Sequence, residues 1–275
     1  MPTVTSVRDA LERIRGPQTT ITTYGPERDD ALHEFLERFD VELSHERLPI
    51  PASQSYLTVR RDGTYHGSAS LPDSAGVDDP PRNPPWDDTV ETAGYRELTA
   101  LLAGTAFTSV QRRHLLATSR EIEDRAWRVG RGTLYAGFQS LSAFRSQLAV
   151  YRRLAAETAL DVRVYGAPDW EPPEVPGVLV HSGDGVESEL GAFWFVAFDG
   201  GGDDEMACAL VAEQETDDTY RGAWTYDPAV VRAFTAYLDE TYGPHSSADR
   251  ETSGERDVVD DRDTPGQDGF GEQNG

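Results

Sequence analysis

The stretch Phe193-Trp194-Phe195-Val196-Ala197-Phe198 constrains the fold of this chain more than any other. Alternate side chains of a strand point to opposite faces of its sheet, so six apolar residues in a row need cover on both sides. The run therefore reads as a central strand with layers above and below it. Asp199-Gly200-Gly201-Gly202 follows and turns the chain into a second apolar run, Ala207 to Ala212. A glycine run can cradle an anion with its backbone N–H groups. Here Asp199, Asp203 and Asp204 would repel phosphate, which favours a hairpin loop.

Elements of both periods alternate around this centre. Val7, Leu11 and Ile14 have helical spacing, and Thr19 to Tyr24 reads as a strand closed by Gly25-Pro26. Asp29-Asp30 open a helix with Leu32, Phe35, Leu36 and Phe39 on one face, and Val41 to Leu48 alternates as a strand. Tyr56 to Arg60 and Tyr65 to Ser70 flank Asp62-Gly63, a hairpin-turn signal. Further on, the pattern predicts helices over 90–103 and 109–129 and a short strand at Thr133 to Ala136. A continuous helix over 140–158 follows, with Leu141, Phe144, Leu148, Tyr151 and Ala155 on one face. Strands are expected at Val162 to Tyr165, Gly177 to Val180 and Gly222 to Tyr226. Asp227-Pro228 starts a last helix carrying Val231, Phe234 and Leu238. The fold class is α/β, a mixed β-sheet layered with helices.

Residues 72–88 hold five prolines and few apolar groups and read as a linker. They separate an N-terminal α/β segment, 1–71, from a larger α/β domain, 89–242. From 243 to 275 there are nine acidic residues, three arginines and almost no large apolar side chains. Such a tail cannot bury enough surface to offset its ordering entropy and is expected to be disordered.

The chain has 49 acidic residues against 25 basic ones, a formal net charge of −24, and no lysine. High Asp and Glu without Lys is the pattern of a protein that stays hydrated in molar salt, where the Debye length shrinks to about 3 Å. The composition therefore predicts a halophilic protein. The charge argues against direct nucleic-acid binding, which needs a basic face. Without lysine there is no Walker A phosphate loop, no protein-kinase strand lysine and no pyridoxal-phosphate attachment. GxSxG, HExxH and GxGxxG are also absent. The six histidines show no local ligand spacing, so no metal site is expected, and the single Cys208 reads as a buried structural thiol. No secretory or membrane-spanning segment is visible, which predicts a cytoplasmic protein.

No catalytic residue stands out. The stretch Ser119 to Arg125 packs five charges onto a helix whose other face is apolar. Arg120 can pair with Glu123 or Asp124, and Glu121 with Arg125. This is either a solvated face with ion pairs worth about 0.2–0.5 kcal/mol each, or the polar wall of a pocket. Open α/β sheets place ligands beside strand ends. That rule selects Arg120, Glu123, Arg125, Gln139, Asp199, Trp224 and Asp227 as candidate ligand- or partner-binding residues. Trp194, Trp224, Tyr226 and Phe138 are the stacking candidates for a planar ligand, although aromatic residues on strands usually belong to the core. A carboxylate enzyme using Glu123 with Asp199 or Asp227 as acid and base is the alternative, as is an interaction adaptor without a ligand.

Three segments together resemble a known family. They are Leu115 to Trp170 (charged helix, Gly-Phe-Gln strand, amphipathic helix, Tyr-Gly strand), the aromatic hairpin Phe193 to Glu213, and Gly222 to Pro228 (Gly-Ala-Trp-Thr-Tyr-Asp-Pro). They are similar to the DICT sensory domain, most of all to its archaeal halophile-type members, over roughly residues 90–242. The resemblance implies a sensory module found with diguanylate cyclases and two-component systems and proposed to work alongside light sensing. It implies no catalytic residues and identifies no cofactor. No cyclase, histidine-kinase or helix-turn-helix output domain is recognisable. The expected partner is therefore a separate signalling protein (kinase, cyclase or regulator), and the oligomeric state is not readable.

Overall fold

The computed structural model of the chain describes residues 3–14, 16, 18–71, 80, 82–87, 93–182 and 189–243. Most of the expected linker (72–79, 81 and 88) and the expected disordered tail beyond Gly243 lie outside these residues.

Two mixed sheets and seven α-helices form the described structure. In chain order they are α1 (Val7–Arg13), β1 (Thr19–Gly25), α2 (Asp30–Leu36), β2 (Val41–Arg47), β3 (Tyr56–Arg61), β4 (Thr64–Ser70) and α3 (Ala93–Leu102). There follow β5 (Phe107–Gln111), α4 (Arg112–Val129), β6 (Arg131–Ser140), α5 (Leu141–Phe144), α6 (Leu148–Glu157), β7 (Ala159–Ala167) and β8 (Val178–Ser182). The chain continues through β9 (Phe193–Phe198), β10 (Cys208–Gln214), β11 (Thr219–Thr225) and α7 (Pro228–Tyr242). The first four strands make a sheet of order β2-β1-β3-β4, and the rest a seven-stranded sheet of order β5-β11-β10-β9-β6-β7-β8. β6, β7 and β8 run parallel, and β9, β10 and β11 form antiparallel hairpins with one another.

The all-apolar run is the middle strand of seven, and all six of its residues are buried. Trp194, Val196 and Phe198 face a core that extends through α4, α6 and α3 to Ile21, Leu57 and Val59 of the small sheet. Phe193, Phe195 and Ala197 face a second core closed by α1 and α7, with Val7, Ala10, Val231, Phe234 and Leu238. The N-terminal segment thus contributes to both cores. The segment that leads from α2 into the small sheet touches β5 of the large one through a bridge between Phe39 and Phe107 and a bond from the Thr108 N–H to the Arg38 carbonyl at 2.8 Å.

Local chemistry explains most elements. Ser6, Asp29 and Asp227 each accept a bond from an N–H in the first turn of the helix they precede, and Pro228 follows Asp227 as the first helical residue. Asp62 and Gly63 both have positive φ, 47° and 75°, the geometry of a two-residue hairpin turn. Gly200, Gly201 and Gly202 all have positive φ, and a Cβ on Gly201 would lie 2.4 Å from the Arg131 carbonyl oxygen. The glycine run is a turn fitted against β6.

Three elements differ from the sequence pattern. Residues 107–111, expected in part as a helix start, form edge strand β5 against β11. Ser109 has φ 54° and the ladder is bulged, so Phe107 and Val110 are both buried at a spacing that mimics a helix. β6 runs ten residues where four were expected, because its glycines weaken the strand signal. The helix expected over 140–158 is interrupted at Arg145–Gln147. The physical cause of that interruption belongs to the site.

Candidate functional site

α4 carries the charged stretch, and its polar side is not solvated. Ser119, Arg120, Glu123 and Asp124 are all buried. α3 covers part of it, with the Arg96 guanidinium 2.8 Å from Glu121 and 3.0 Å from Asp124. α6 covers the rest. Glu121 therefore pairs with Arg96, and not with Arg125 as the spacing suggested.

The centre is an ion pair between Arg120 and Glu123, both more than nine-tenths buried. The Tyr151 hydroxyl donates to Glu123 Oε1 at 2.7 Å, and Arg120 donates to Glu123 Oε2 and to Gln147 Oε1. Burial opposes the charge on Arg120, but the adjacent carboxylate outweighs it and the guanidinium pKa is raised. Burial, and then Glu123, push the Tyr151 hydroxyl well above its ordinary range, so it stays a donor. This network explains the interrupted helix. The Gln147 side chain is held by Arg120 and bonds to Ser146 at 3.1 Å, so it does not cap α6. The chain turns through short bonds from the Gln147 N–H to the Phe144 carbonyl at 2.8 Å and from the Val150 N–H to the Gln147 carbonyl at 2.9 Å.

Beside the network lies a cavity of about 170 Å³. Its apolar lining is Leu116, Phe138, Ala143, Trp194 and Val196, and its polar lining includes Arg112, Ser119, Glu123, Gln147 and Tyr151. Phe138 and Trp194 are partners in the β6–β9 ladder, so both rings rise from the same face. The Trp194 indole N–H donates to Ser119 Oγ at 3.1 Å. The Arg112 guanidinium lies 5.2 Å from the centre of the Trp194 ring. Arg112 and Ser146 are exposed and mark the opening, while Glu123 and Tyr151 are buried and mark the floor. Such a site can hold a small, partly apolar molecule and read its polar groups.

Of the seven candidates from the sequence, only Arg120 and Glu123 meet here. Arg125 stacks 4.3 Å from the Tyr226 ring. Gln139 binds Gln214 at 2.8 Å and has φ 62° in the bulge that ends β6. Asp199 accepts from the Gly201 N–H at 2.8 Å and shapes the glycine turn. Trp224 is buried, with its indole N–H on the Thr99 carbonyl at 2.9 Å. Asp227 caps α7 and lines a different cleft with Arg61 and His66. Asp199 and Asp227 do not line the cavity that Glu123 lines, so the proposed acid–base pairs are not brought together. Two stacking candidates, Trp194 and Phe138, do line it. Arg112, Ser119, Gln147 and Tyr151 were not singled out. Tyr151 was read as one more apolar helix position, and only its hydroxyl hinted otherwise.

Among the described residues, no cluster of three or more His, Cys, Asp or Glu could hold a metal ion, and no helix is long and apolar enough to cross a membrane. Cys208 is fully buried, and burial pushes its thiol up to about 12.

Residues 95–215 match the family model of DICT, described as a sensory domain in diguanylate cyclases and two-component systems. The match bears out the resemblance to this family over residues 95–215, short of the 90–242 read from the sequence. All eleven residues lining the cavity, from Arg112 to Val196, lie within it. No curated protein matches the chain. Among solved structures, a crystal structure of polyphosphate kinase from Porphyromonas gingivalis matches at 13% identity and a TM-score of 0.36. That match covers 85% of this chain and 47% of the other, so the chain spans about half that protein's length. A likeness this loose carries no argument.

Proposed function

We propose that this chain, whose residues 95–215 match the DICT sensory model, is a ligand-responsive sensory module that signals to a separate protein. The observation that carries the reading is the cavity walled by the Arg120–Glu123–Tyr151–Gln147 network. A buried ion pair is costly to assemble and weak as a source of stability, so its presence beside a hollow favours a role in recognition. Gln147 belongs both to the lining and to the break between α5 and α6. A ligand that engages it has leverage on α6, which packs against β7 and β8. Switching requires that the ligand bind one arrangement of this break better than another.

The partner, on this reading, is a kinase, cyclase or other regulator, and not nucleic acid, because the net charge of −24 repels phosphate backbones. The absence of lysine supports a salt-adapted cytoplasm as its setting. A cavity of about 170 Å³ holds one ring. Any role in light signalling would then run through a chromophore on the partner.

The test is a small-molecule screen of the full chain by thermal shift, followed by hydrogen exchange. A hit should slow exchange across residues 112–123 and 141–151, and Glu123→Gln should weaken it at least about tenfold. Hits that protect other segments, or that bind the variant equally well, would refute the assignment.

A further inference from the structure

The charges around the cavity narrow what it can accept. We infer that it takes a single-ring aromatic or heteroaromatic acid, with the ring beside Trp194 and Phe138 and the carboxylate on Arg112. This rests on the proposed sensory reading and adds the chemical class of the ligand.

Size comes first. A dry cavity of about 150 Å³ holds one benzene molecule. The volume here, about 170 Å³, leaves room for one ring and a small substituent. Five apolar side chains, two of them aromatic, give the ring its contacts. Aromatic pairs favour offset or edge-on geometry, and the open space beside Trp194 and Phe138 accepts either.

Charge comes second. Both oxygens of Glu123 are already engaged, Oε1 by Tyr151 and Oε2 by Arg120. The floor of the cavity is therefore electrically balanced. An incoming ammonium group would meet a carboxylate whose charge Arg120 already offsets. At the opening stands Arg112, which forms none of the ion pairs among the described residues. It is exposed, its guanidinium carbon lies 5.2 Å from the indole ring centre, and it also reaches the Tyr220 side chain. A planar guanidinium in that position can take a carboxylate with two parallel bonds. Local charge at the cavity is thus positive although the chain as a whole is strongly acidic.

Orientation comes third. Ser119 Oγ accepts from Trp194, which leaves its own proton to donate. The Gln147 amide nitrogen spends one proton on Ser146 and has a second. The inner end of the ligand can therefore carry an acceptor, such as a ring nitrogen or a hydroxyl oxygen, while the carboxylate stays outward.

The experiment titrates the full chain with three matched one-ring probes: benzoate, benzyl alcohol and benzylammonium. Binding is read by calorimetry and by Trp fluorescence. Benzoate should bind about tenfold or more tightly than the other two. Arg112→Gln, a change at an exposed position, should bring benzoate down to the level of benzyl alcohol and leave benzyl alcohol unchanged. Equal or tighter binding of the alcohol or the ammonium probe would overturn the acid class while leaving a ligand cavity in place. Failure of all three probes into the millimolar range would overturn the class and the sensory cavity together.

Discussion

The two faces of the seven-stranded sheet are both covered by helices, but in different ways. On one face, α1 and α7 bring Val7, Ala10, Val231, Phe234 and Leu238 onto Phe193, Phe195 and Ala197. Among the polar groups at that face's margin, Tyr135 reaches Asp239 at 3.0 Å and Tyr242 reaches Glu189 at 3.3 Å. On the other face, α4 carries Ser119, Arg120, Glu123 and Asp124, buried under α3 and α6 and beside the sheet, with a cavity next to Trp194. Both faces share one strand, β9, so the strand's composition does not decide the difference. The covering helices decide it. A face closed by apolar side chains gives stability, whereas a face closed by a paired charge and a hollow keeps a place that can respond.

The largest expected effect comes from breaking that pair. Glu123→Ala should cost about 3–5 kcal/mol of unfolding free energy, because Arg120 would be left buried without its counter-charge. Adding Arg120→Met should return much of the loss, since an apolar pair of similar volume is often as stable as an ionic one. Denaturant unfolding of the single and double variants measures both. A loss below about 1 kcal/mol would mean that the pair behaves as an exposed one, and the contrast between the faces would vanish.

Acid should weaken the same helix by a second route. His114, on α4, is buried beside Phe35 with ring centres 4.9 Å apart. Burial, then Arg113 and Arg38, lower its pKa from 6.5 to about 4. The folded state holds the ring neutral while the unfolded chain protonates it below about 6.5. The unfolded state thus binds more protons, and stability falls as pH drops from about 6.5 to about 4, then levels off. The loss is of order 3 kcal/mol at one unit per 1.36 kcal/mol. The wild type minus His114→Gln difference in unfolding free energy isolates it. A difference that is flat from neutral pH to about 4.5 would show that His114 reaches water.

Where the signal was local, the sequence was legible. The middle strand followed from six apolar residues, the β3–β4 hairpin from Asp62-Gly63, and α7 from Asp227-Pro228. The break between α5 and α6 was not legible. Leu141, Phe144, Tyr151 and Leu154 remain buried on both sides of it, so the apolar spacing continues through the turn. At the break, the Gln147 side chain is bonded to Arg120, 27 residues away in the chain. The site was half legible for the same reason. Arg120, Glu123, Trp194 and Phe138 could be picked from residue type and element. Arg112, Gln147 and Tyr151 acquire a role only when α4 and α6 meet over the sheet. Asp199, Asp227 and Gln139 looked alike in sequence, yet the backbone claims the first two for a turn and a cap, and Gln214 claims the third.

The smallest effects give the sharpest contrast, because they add atoms instead of removing them. Gly137, on β6, lies under the Phe195 ring of the apolar face, and a Cβ there would come within 2.2–2.6 Å of three ring atoms. Phe195 is itself packed 5.4 Å from Phe234 and 5.7 Å from Tyr165, ring centre to ring centre, which resists its swinging aside. Gly137→Ala should therefore cost about 1–3 kcal/mol as overpacking, with benzoate binding unchanged. Ala143 lines the cavity on the opposite face. Ala143→Leu adds more atoms, yet it has empty space to enter and should hold stability within about 1 kcal/mol while abolishing benzoate binding. Unfolding curves and titrations on the two variants separate the faces. If the methyl group at 137 is tolerated and the larger side chain at 143 is not, the hollow lies on the wrong side of β9, and the division of labour between the faces is reversed.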